Sequence, residues 1–316
     1  MNKQSIYFLL AIACLLPLSS CTAGRSQAIN AGDENFRTGT QGLQLRFLPY
    51  SPPDKIFDNE ELHARIEVFN KGAEDITGSN NRLYLSGFDT TIITGIPTMG
   101  FQIPDLQGKK FFNPEGEFDN VDITGFVRDL KSRNIDFYNT ILMATACYKY
   151  KTIADPSACV DPDPFSTSVQ DKVCDFNSQP ALGSQGAPVI IDSVQVEAMN
   201  GKARFKISAR NAGGGDVLKD GADILDRCNP YDPKGLDIRD LDYVHVDEVV
   251  LGDTSILGNC RPLENGYLRL RTSGSGAMIC EVDGLSGPAY LTPLRITVSY
   301  NYRSIITQNL RILQAN

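Results

Sequence analysis

The chain of 316 residues contains no tryptophan and only two histidines, His63 and His245. The absence of Trp removes the usual stacking platform for sugar rings. Any Ser-His-Asp relay has to use one of the two histidines, and each lies in a strand-like run where a surface or edge imidazole is the ordinary occupant. No Gly-x-Ser-x-Gly elbow is present, because Ser273-Gly274-Ser275-Gly276 and Gly284-Leu285-Ser286-Gly287 have the wrong spacing. Gly213-Gly214-Gly215 follows a strand but lacks the Lys-Ser/Thr of a phosphate cradle. No cysteines stand in CxxC pairs, which leaves a structural zinc site without support. Basic residues are in deficit: the net charge is -8. Removing the first twenty residues takes away only Lys3 and leaves -9. Nucleic-acid binding needs clustered Lys and Arg, so it is excluded as a partner class, and electrostatic docking of the whole chain on anionic lipid is disfavoured.

One long apolar run exists, from Ile6 to Leu18, behind a start that carries Lys3. It has the length of a signal-peptide core and is too short to span a bilayer. It ends in Leu18-Ser19-Ser20-Cys21, which resembles the lipobox of prokaryotic lipoproteins. The resemblance implies removal of residues 1–20 and lipidation of Cys21. Ordinary secretory cleavage after Ala23, giving a soluble exported protein, is the alternative. Residues 21–42 are polar and small and read as a flexible tether that lifts a domain off a membrane.

The rest of the chain reads as a duplication. Tyr148-Lys149-Tyr150-Lys151-Thr152-Ile153 returns as Tyr300-Asn301-Tyr302-Arg303-Ser304-Ile305, 152 residues later. The alternation Leu142, Ala144, Ala146 upstream returns as Leu294, Ile296, Val298. A period of two predicts a strand with one buried face in each copy. A second landmark recurs at an offset of 141: Leu62, Ala64, Ile66, Val68 and Asn70-x-Gly72 match Ala203, Phe205, Ile207, Ala209 and Asn211-x-Gly213. The two offsets leave about eleven extra residues in the second copy, placed most naturally in the Asp-rich stretch between Asp220 and Asp242.

Residues 43–160 therefore form a first β unit, 161–186 a linker rich in Ser, Gln, Gly and Pro, and 187–316 a second β unit. Short strands with frequent turn residues predict an all-β fold of two tandem β-sandwich domains. A short helix is expected over Val121–Lys131, and a closing hairpin with strands at Val298–Tyr302 and Leu310–Ile312. Val68-Phe69-Asn70-Lys71-Gly72 and Ala209-Arg210-Asn211-Ala212-Gly213 resemble the turn of CARDB-like and other immunoglobulin-like modules of prokaryotic surface proteins. That resemblance implies tandem immunoglobulin-like sandwiches on an envelope protein. The paired Cys around a Trp of antibody domains is missing, so no receptor function carries over.

Apart from Cys14 in the signal and Cys21, six cysteines remain: Cys147, Cys159, Cys174, Cys228, Cys260 and Cys280. An even count in an exported chain predicts disulfides. Each unit holds three, so full pairing requires a bridge between them. The expected pairing is Cys147 with Cys159, Cys260 with Cys280 across a hairpin from Tyr267 to Met278, and Cys174 with Cys228. In the Asp-rich stretch, Asp223, Asp226 and Asp232 are the nearest approach to a Ca2+ ligand set. It lacks EF-hand spacing, and an acidic solvated loop is the commoner occupant. No cofactor is implied.

These readings predict a non-enzymatic, lipid-anchored cell-surface protein facing outside the cytoplasm. Its partners would be the membrane, through the lipid, and a protein or envelope polymer, in adhesion, envelope assembly or structure. A carbohydrate- or solute-binding accessory lipoprotein is the alternative, and a secreted hydrolase the third class.

Overall fold

The computed structural model describes residues 36–166, 172–175, 182–271 and 273–315. The signal, Cys21 and most of the tether lie outside the described residues. Among the described residues the first half holds nine strands: β1 Leu43–Phe47, β2 Lys55–Phe57, β3 Glu61–Asn70, β4 Arg82–Ser86, β5 Ile93–Thr94, β6 Phe101–Gln102, β7 Phe118–Val127, β8 Phe137–Ala154 and β9 Ser157–Val160. The second half holds β10 Val189–Met199, β11 Lys202–Asn211, β12 Asp216–Leu218, β13 Tyr243–Leu251, β14 Thr254–Ser255, β15 Cys260–Arg261, β16 Tyr267–Arg269, β17 Ser275–Asp283 and β18 Tyr290–Leu313. One short helix, Ala222–Arg227, lies between β12 and β13. The fold is all-β, in sandwiched, mainly antiparallel sheets, none of which closes into a barrel.

Alternation sets the faces. In β3, Leu62, Ala64, Ile66 and Val68 are buried and the residues between them are not. In β11, Ala203, Phe205, Ile207 and Ala209 repeat this. The duplication is visible in the topology. One outer sheet runs β1-β3-β7-β5 and the other β10-β11-β17-β15, the same order built from corresponding strands. Both pack on the same face of a central sheet, β14-β13-β18-β8-β4-β6, which reads as mirror copies about its middle pair.

The middle pair joins the halves. β8 and β18 are antiparallel and in continuous register from Ala154 opposite Ile296 to Phe137 opposite Leu313. Tyr148 faces Tyr302 and Tyr150 faces Tyr300. The repeat offset carries Lys149 onto Asn301, and these two residues are themselves opposite each other. A pseudo-two-fold axis therefore passes between Lys149 and Asn301, as in an isologous dimer whose subunits have become one chain. The halves share one hydrogen-bonded sheet, and Phe36–Asn316 form one compact unit.

The four tyrosines sit at the centre and are all at most 1 % exposed. Their rings close a circuit, with centroids 5.9 Å apart for Tyr148–Tyr150 and Tyr148–Tyr302, and 6.3 Å for Tyr150–Tyr300 and Tyr300–Tyr302. Each buried hydroxyl has partners, as a buried polar group requires. The Leu43 amide donates to the Tyr148 hydroxyl at 3.0 Å, and the Val189 amide donates to that of Tyr300 at 3.2 Å. Ser304 Oγ lies 3.3 Å from the Tyr148 hydroxyl, and Thr152 Oγ1 lies 2.9 Å from that of Tyr300. Ser304 and Thr152 are themselves repeat partners, so each half completes the other's tyrosine.

The remaining tyrosines fix the Asn-x-Gly turns. Asn70 Nδ2 donates to the Glu74 carbonyl at 2.8 Å, and Asn211 Nδ2 to the Gly215 carbonyl at 2.7 Å. The amides of Glu74 and Gly215 donate to the hydroxyls of Tyr150 and Tyr302. Gly72 is required by this approach: a Cβ there would overlap the Tyr150 hydroxyl and lie 2.6 Å from the Gln41 carbonyl oxygen.

Burial pushes up the pKa of all four phenols, that of Tyr302 to about 12, those of Tyr148 and Tyr150 further, and that of Tyr300 well above its ordinary value. The folded chain thus keeps protons that the unfolded chain releases near pH 10. The associated stability is complete below that pH and is lost as pH rises through the folded values. Each tyrosine contributes a slope of about 1.4 kcal/mol per pH unit in that window. Urea unfolding between pH 9 and pH 12 should show this loss, and Tyr302→Phe should reduce its slope.

Several expectations fail locally. Val121–Lys131 is not a helix: Val121, Ile123 and Val127 are buried alternately in β7, which pairs with β3. Its β-branched residues suit a pleated face better than a helix. The closing hairpin is absent, because β18 runs unbroken for 24 residues. No Gly or Pro stands between Leu294 and Leu313 to end it. Tyr267–Met278 is not a hairpin of two paired strands, since β16 joins the central sheet and β17 an outer one.

The disulfides are Cys147–Cys228, Cys159–Cys174 and Cys260–Cys280. The last matches expectation, because the two residues are cross-strand neighbours of β15 and β17. The other two differ. β9 does not return over β8 but continues its line along β18, so Cys147 lies opposite Arg303 and Cys159 opposite Leu291, too far apart to join; Cys147 meets Cys228 at the end of the helix instead. Cys159 closes instead on Cys174 in the connecting segment. The required bridge between halves is therefore Cys147–Cys228. Three disulfides indicate an oxidising, extracytoplasmic environment. No helix among the described residues is long and apolar enough to cross a membrane.

Candidate functional site

The outer face of the central sheet is treated differently in its two halves, and the difference comes from the extra residues of the second copy. The Asp-rich stretch crosses onto the first half. Ile224, Leu225 and Cys228 pack against Tyr84 and Cys147 in a second, smaller core. The Tyr231 hydroxyl donates to the Leu85 carbonyl at 2.7 Å, and Asn229 Nδ2 to the Thr98 carbonyl at 3.0 Å. Asn301 Nδ2, at the pseudo-axis, holds the base of the crossing by donating to the carbonyls of Lys219 and Gly221.

The carboxylates of this stretch serve local structure. Arg227 pairs with Asp240, whose carboxyl it holds below the ordinary range. Asp237 and Asp240 form a reciprocal cap on a single 3-10 turn. The Asp232 carboxylate accepts from the Lys234 and Gly235 amides. Asp223 faces Arg227 at 3.9 Å, and Asp226 is exposed. The three weak Ca2+ candidates, Asp223, Asp226 and Asp232, do not gather. Among the described residues no three His, Cys, Asp or Glu side chains form a group suited to a metal ion.

The corresponding face of the second half remains open. β18 presents Arg295, Thr297 and Ser299 outward, and β8 presents Lys151 and Ile153 beside them. β13 contributes His245, Asp247 and Glu248, because its register slips by one residue between Val246 and Glu248. That bulge turns two successive acidic residues toward the same side. Arg37, Lys151, Ile153, Asp155, Asp247, Glu248, Arg295 and Thr297 line a cleft of about 580 Å³ there.

Cationic and anionic groups alternate around the cleft. Arg295 Nε meets Asp155 at 2.8 Å, and Lys151 Nζ meets Glu74 at 3.0 Å. Thr297 Oγ1 donates to Glu248 at 3.1 Å. Asp247 lies between two groups: His245 Nδ1 is 2.8 Å from its Oδ1, and Ser299 Oγ donates to the same oxygen at 3.0 Å. Next to it, the Tyr267 ring lies edge-on to His245 at 5.1 Å. Its phenol is pushed up to about 12 by burial and by the Asp220 carboxylate it donates to.

His245 thus does approach a Ser and an Asp. The order, however, is hydroxyl–carboxylate–imidazole, whereas a nucleophile relay needs the imidazole between the other two. His63 is exposed on an outer sheet, 3.0 Å from Glu61. The cleft can supply hydrogen-bond donors, acceptors and both signs of charge to a ligand. The signal for it was present in Val244-His245-Val246-Asp247-Glu248-Val249, where two polar residues replace one and shift the alternation.

No protein-family model matches the chain. No curated protein sequence matches it. Among solved structures it is similar to a secreted serine protease, VesC from Vibrio cholerae, with 9 % identity and a TM-score of 0.19. That alignment covers 84 % of this chain and 51 % of the other, so the chain spans about half the length of that neighbour. A score this low carries no conclusion about fold or activity.

Proposed function

We propose that the chain is an exported lipoprotein, anchored through Cys21, which acts by binding rather than by catalysis in adhesion, envelope assembly or envelope structure. Its immunoglobulin-like halves, joined edge to edge through β8 and β18, form one stiff body that presents the open face of the second half. The observation that carries this reading is the pairing of β8 with β18 across the pseudo-axis, reinforced by Cys147–Cys228. Together they oppose hinge motion between the halves and suit a fixed platform better than a closing cleft. The signal run and the Leu18-Ser19-Ser20-Cys21 sequence support the anchor. Metabolic labelling with radioactive palmitate should mark the mature protein, and Cys21→Ser should abolish the label. An unlabelled wild-type protein that stays soluble would remove the anchor.

One observation favours a second reading as a solute-binding accessory protein. The cleft volume lies in the range of small-ligand sites, and its opposed charges suit a zwitterion such as an amino acid or short peptide. Calorimetric titration with such compounds should find a binder, and Arg295→Ala should weaken it about tenfold or more, the cost of a lost charged hydrogen bond. A panel without any binder would eliminate this reading.

A further inference from the structure

We infer that the turn at Lys109–Asn113 is a second, non-covalent membrane contact, which inserts Phe111 and Phe112 into the bilayer surface beside the lipid anchor. The inference rests on the anchor reading above. Lys110 and Asn113 exchange both backbone hydrogen bonds, at 2.9 and 3.0 Å, so Phe111 and Phe112 are the two corner residues of a tight turn. Such corners ordinarily take Gly, Asn, Asp or Pro, which satisfy the local backbone and face water. Here the corner is wholly aromatic. Phe112 is 92 % exposed and Phe111 51 % exposed, and each ring's close aromatic neighbour is the other, at 4.8 Å. Paired Phe at a protruding tip suits the headgroup–acyl boundary.

Position commits the turn to a lipid surface. Lys109 Nζ donates to the Thr38 carbonyl at 3.1 Å, so the turn stands against the segment by which the N-terminal chain enters the fold. Cys21 and Phe36 are fifteen positions apart, which limits the anchored bilayer to within about 50 Å of that point. Charge is nearly balanced at the base of the turn. Lys110 pairs with Asp75 at 3.0 Å and Lys71 with Glu115 at 3.3 Å. The contact is therefore apolar insertion rather than attraction to anionic headgroups, which agrees with the acidic net charge.

The absence of Trp makes the test direct, because Phe112→Trp creates a single indole reporter in the complete lipoprotein. The variant is reconstituted in phosphatidylcholine vesicles with or without brominated acyl chains. Emission should fall by about twofold or more with bromine, and equally in 0.5 M salt (roughly a 4 Å screening length). A control indole from Tyr50→Trp, beyond the far end of β1 and 89 % exposed in the native residue, should be unaffected. A palmitate-labelled, vesicle-bound protein whose indole at 112 is unquenched overturns the inference alone. Quenching that disappears in salt overturns the apolar mode. An unlabelled protein overturns the anchor reading, and the inference with it.

Discussion

Tyr300→Ala is expected to lower the unfolding free energy by about 3–5 kcal/mol, the usual cost of truncating a large buried aromatic. Three losses combine at this position. The side chain is fully buried where the two outer sheets and the central sheet meet. Two ring contacts of the tyrosine circuit disappear, with Tyr150 and Tyr302. The Val189 amide, which opens β10, loses its acceptor. Tyr300→Phe separates these terms. It keeps the ring packing and removes the hydroxyl, so it should cost about 1–3 kcal/mol, the penalty of an unpaired buried donor. Because the pseudo-axis relates Tyr148 to Tyr300, truncation of Tyr148 should cost a similar amount. Two-state urea unfolding of the three variants measures this directly. A Tyr300→Ala protein within 1 kcal/mol (about a fivefold change in equilibrium constant) of the native one would mean that the tyrosines are not at the core.

Removing the bridge between halves should have the next largest effect. Cys147 and Cys228 are 81 residues apart in sequence. In the chain-entropy treatment a loop of that length restrains the unfolded state by about 4.5 kcal/mol. The Cys159–Cys174 loop, with a separation of 15, should contribute nearer 3 kcal/mol. Paired Cys→Ser replacements should therefore destabilise in that order. The larger loss also uncovers the small core over Tyr84, since Ile224 and Leu225 are held there through the same helix. With this bridge removed, amide exchange should rise first in the crossing segment from Ala222 to Tyr231. The β8–β18 ladder should remain protected, because its hydrogen bonds do not depend on the cystine.

Much of the core was legible from alternation. Leu62 through Val68 and Ala203 through Ala209 show a clean period of two, and those residues are buried as expected. The Tyr-x-Tyr repeat marked the largest buried side chains. Periodicity assigns a residue to a face, however, and does not say which strand lies alongside. Two copies of Tyr-x-Tyr are equally compatible with two separate cores and with one shared sheet. The antiparallel pairing of β8 with β18 depends on long-range register, which no local pattern contains. Two of the three expected disulfides fail for the same reason, while Cys260–Cys280 is present. Cys147 and Cys159 are near in sequence, but β9 prolongs β8 along β18 instead of returning beside it, which keeps the two cysteines apart. The helix expected over Val121–Lys131 rests on Phe126, Val127 and Leu130 at helical spacing, but Val121, Ile123 and Val127 fit strand spacing equally well, and pairing with β3 decides for the strand. The outer-face cleft was readable in part, since Asp247-Glu248 interrupts an otherwise regular alternation. Its other wall, from Lys151 to Asp155, came into view only with the pairing of β8 and β18.

The joining of the halves is tested most directly by a disulfide map of the native protein, obtained by non-reducing digestion and mass spectrometry. The account predicts a peptide carrying Cys147 linked to one carrying Cys228, together with Cys159–Cys174 and Cys260–Cys280. A map in which Cys147 is linked to Cys159, leaving the first half closed on itself, would contradict it.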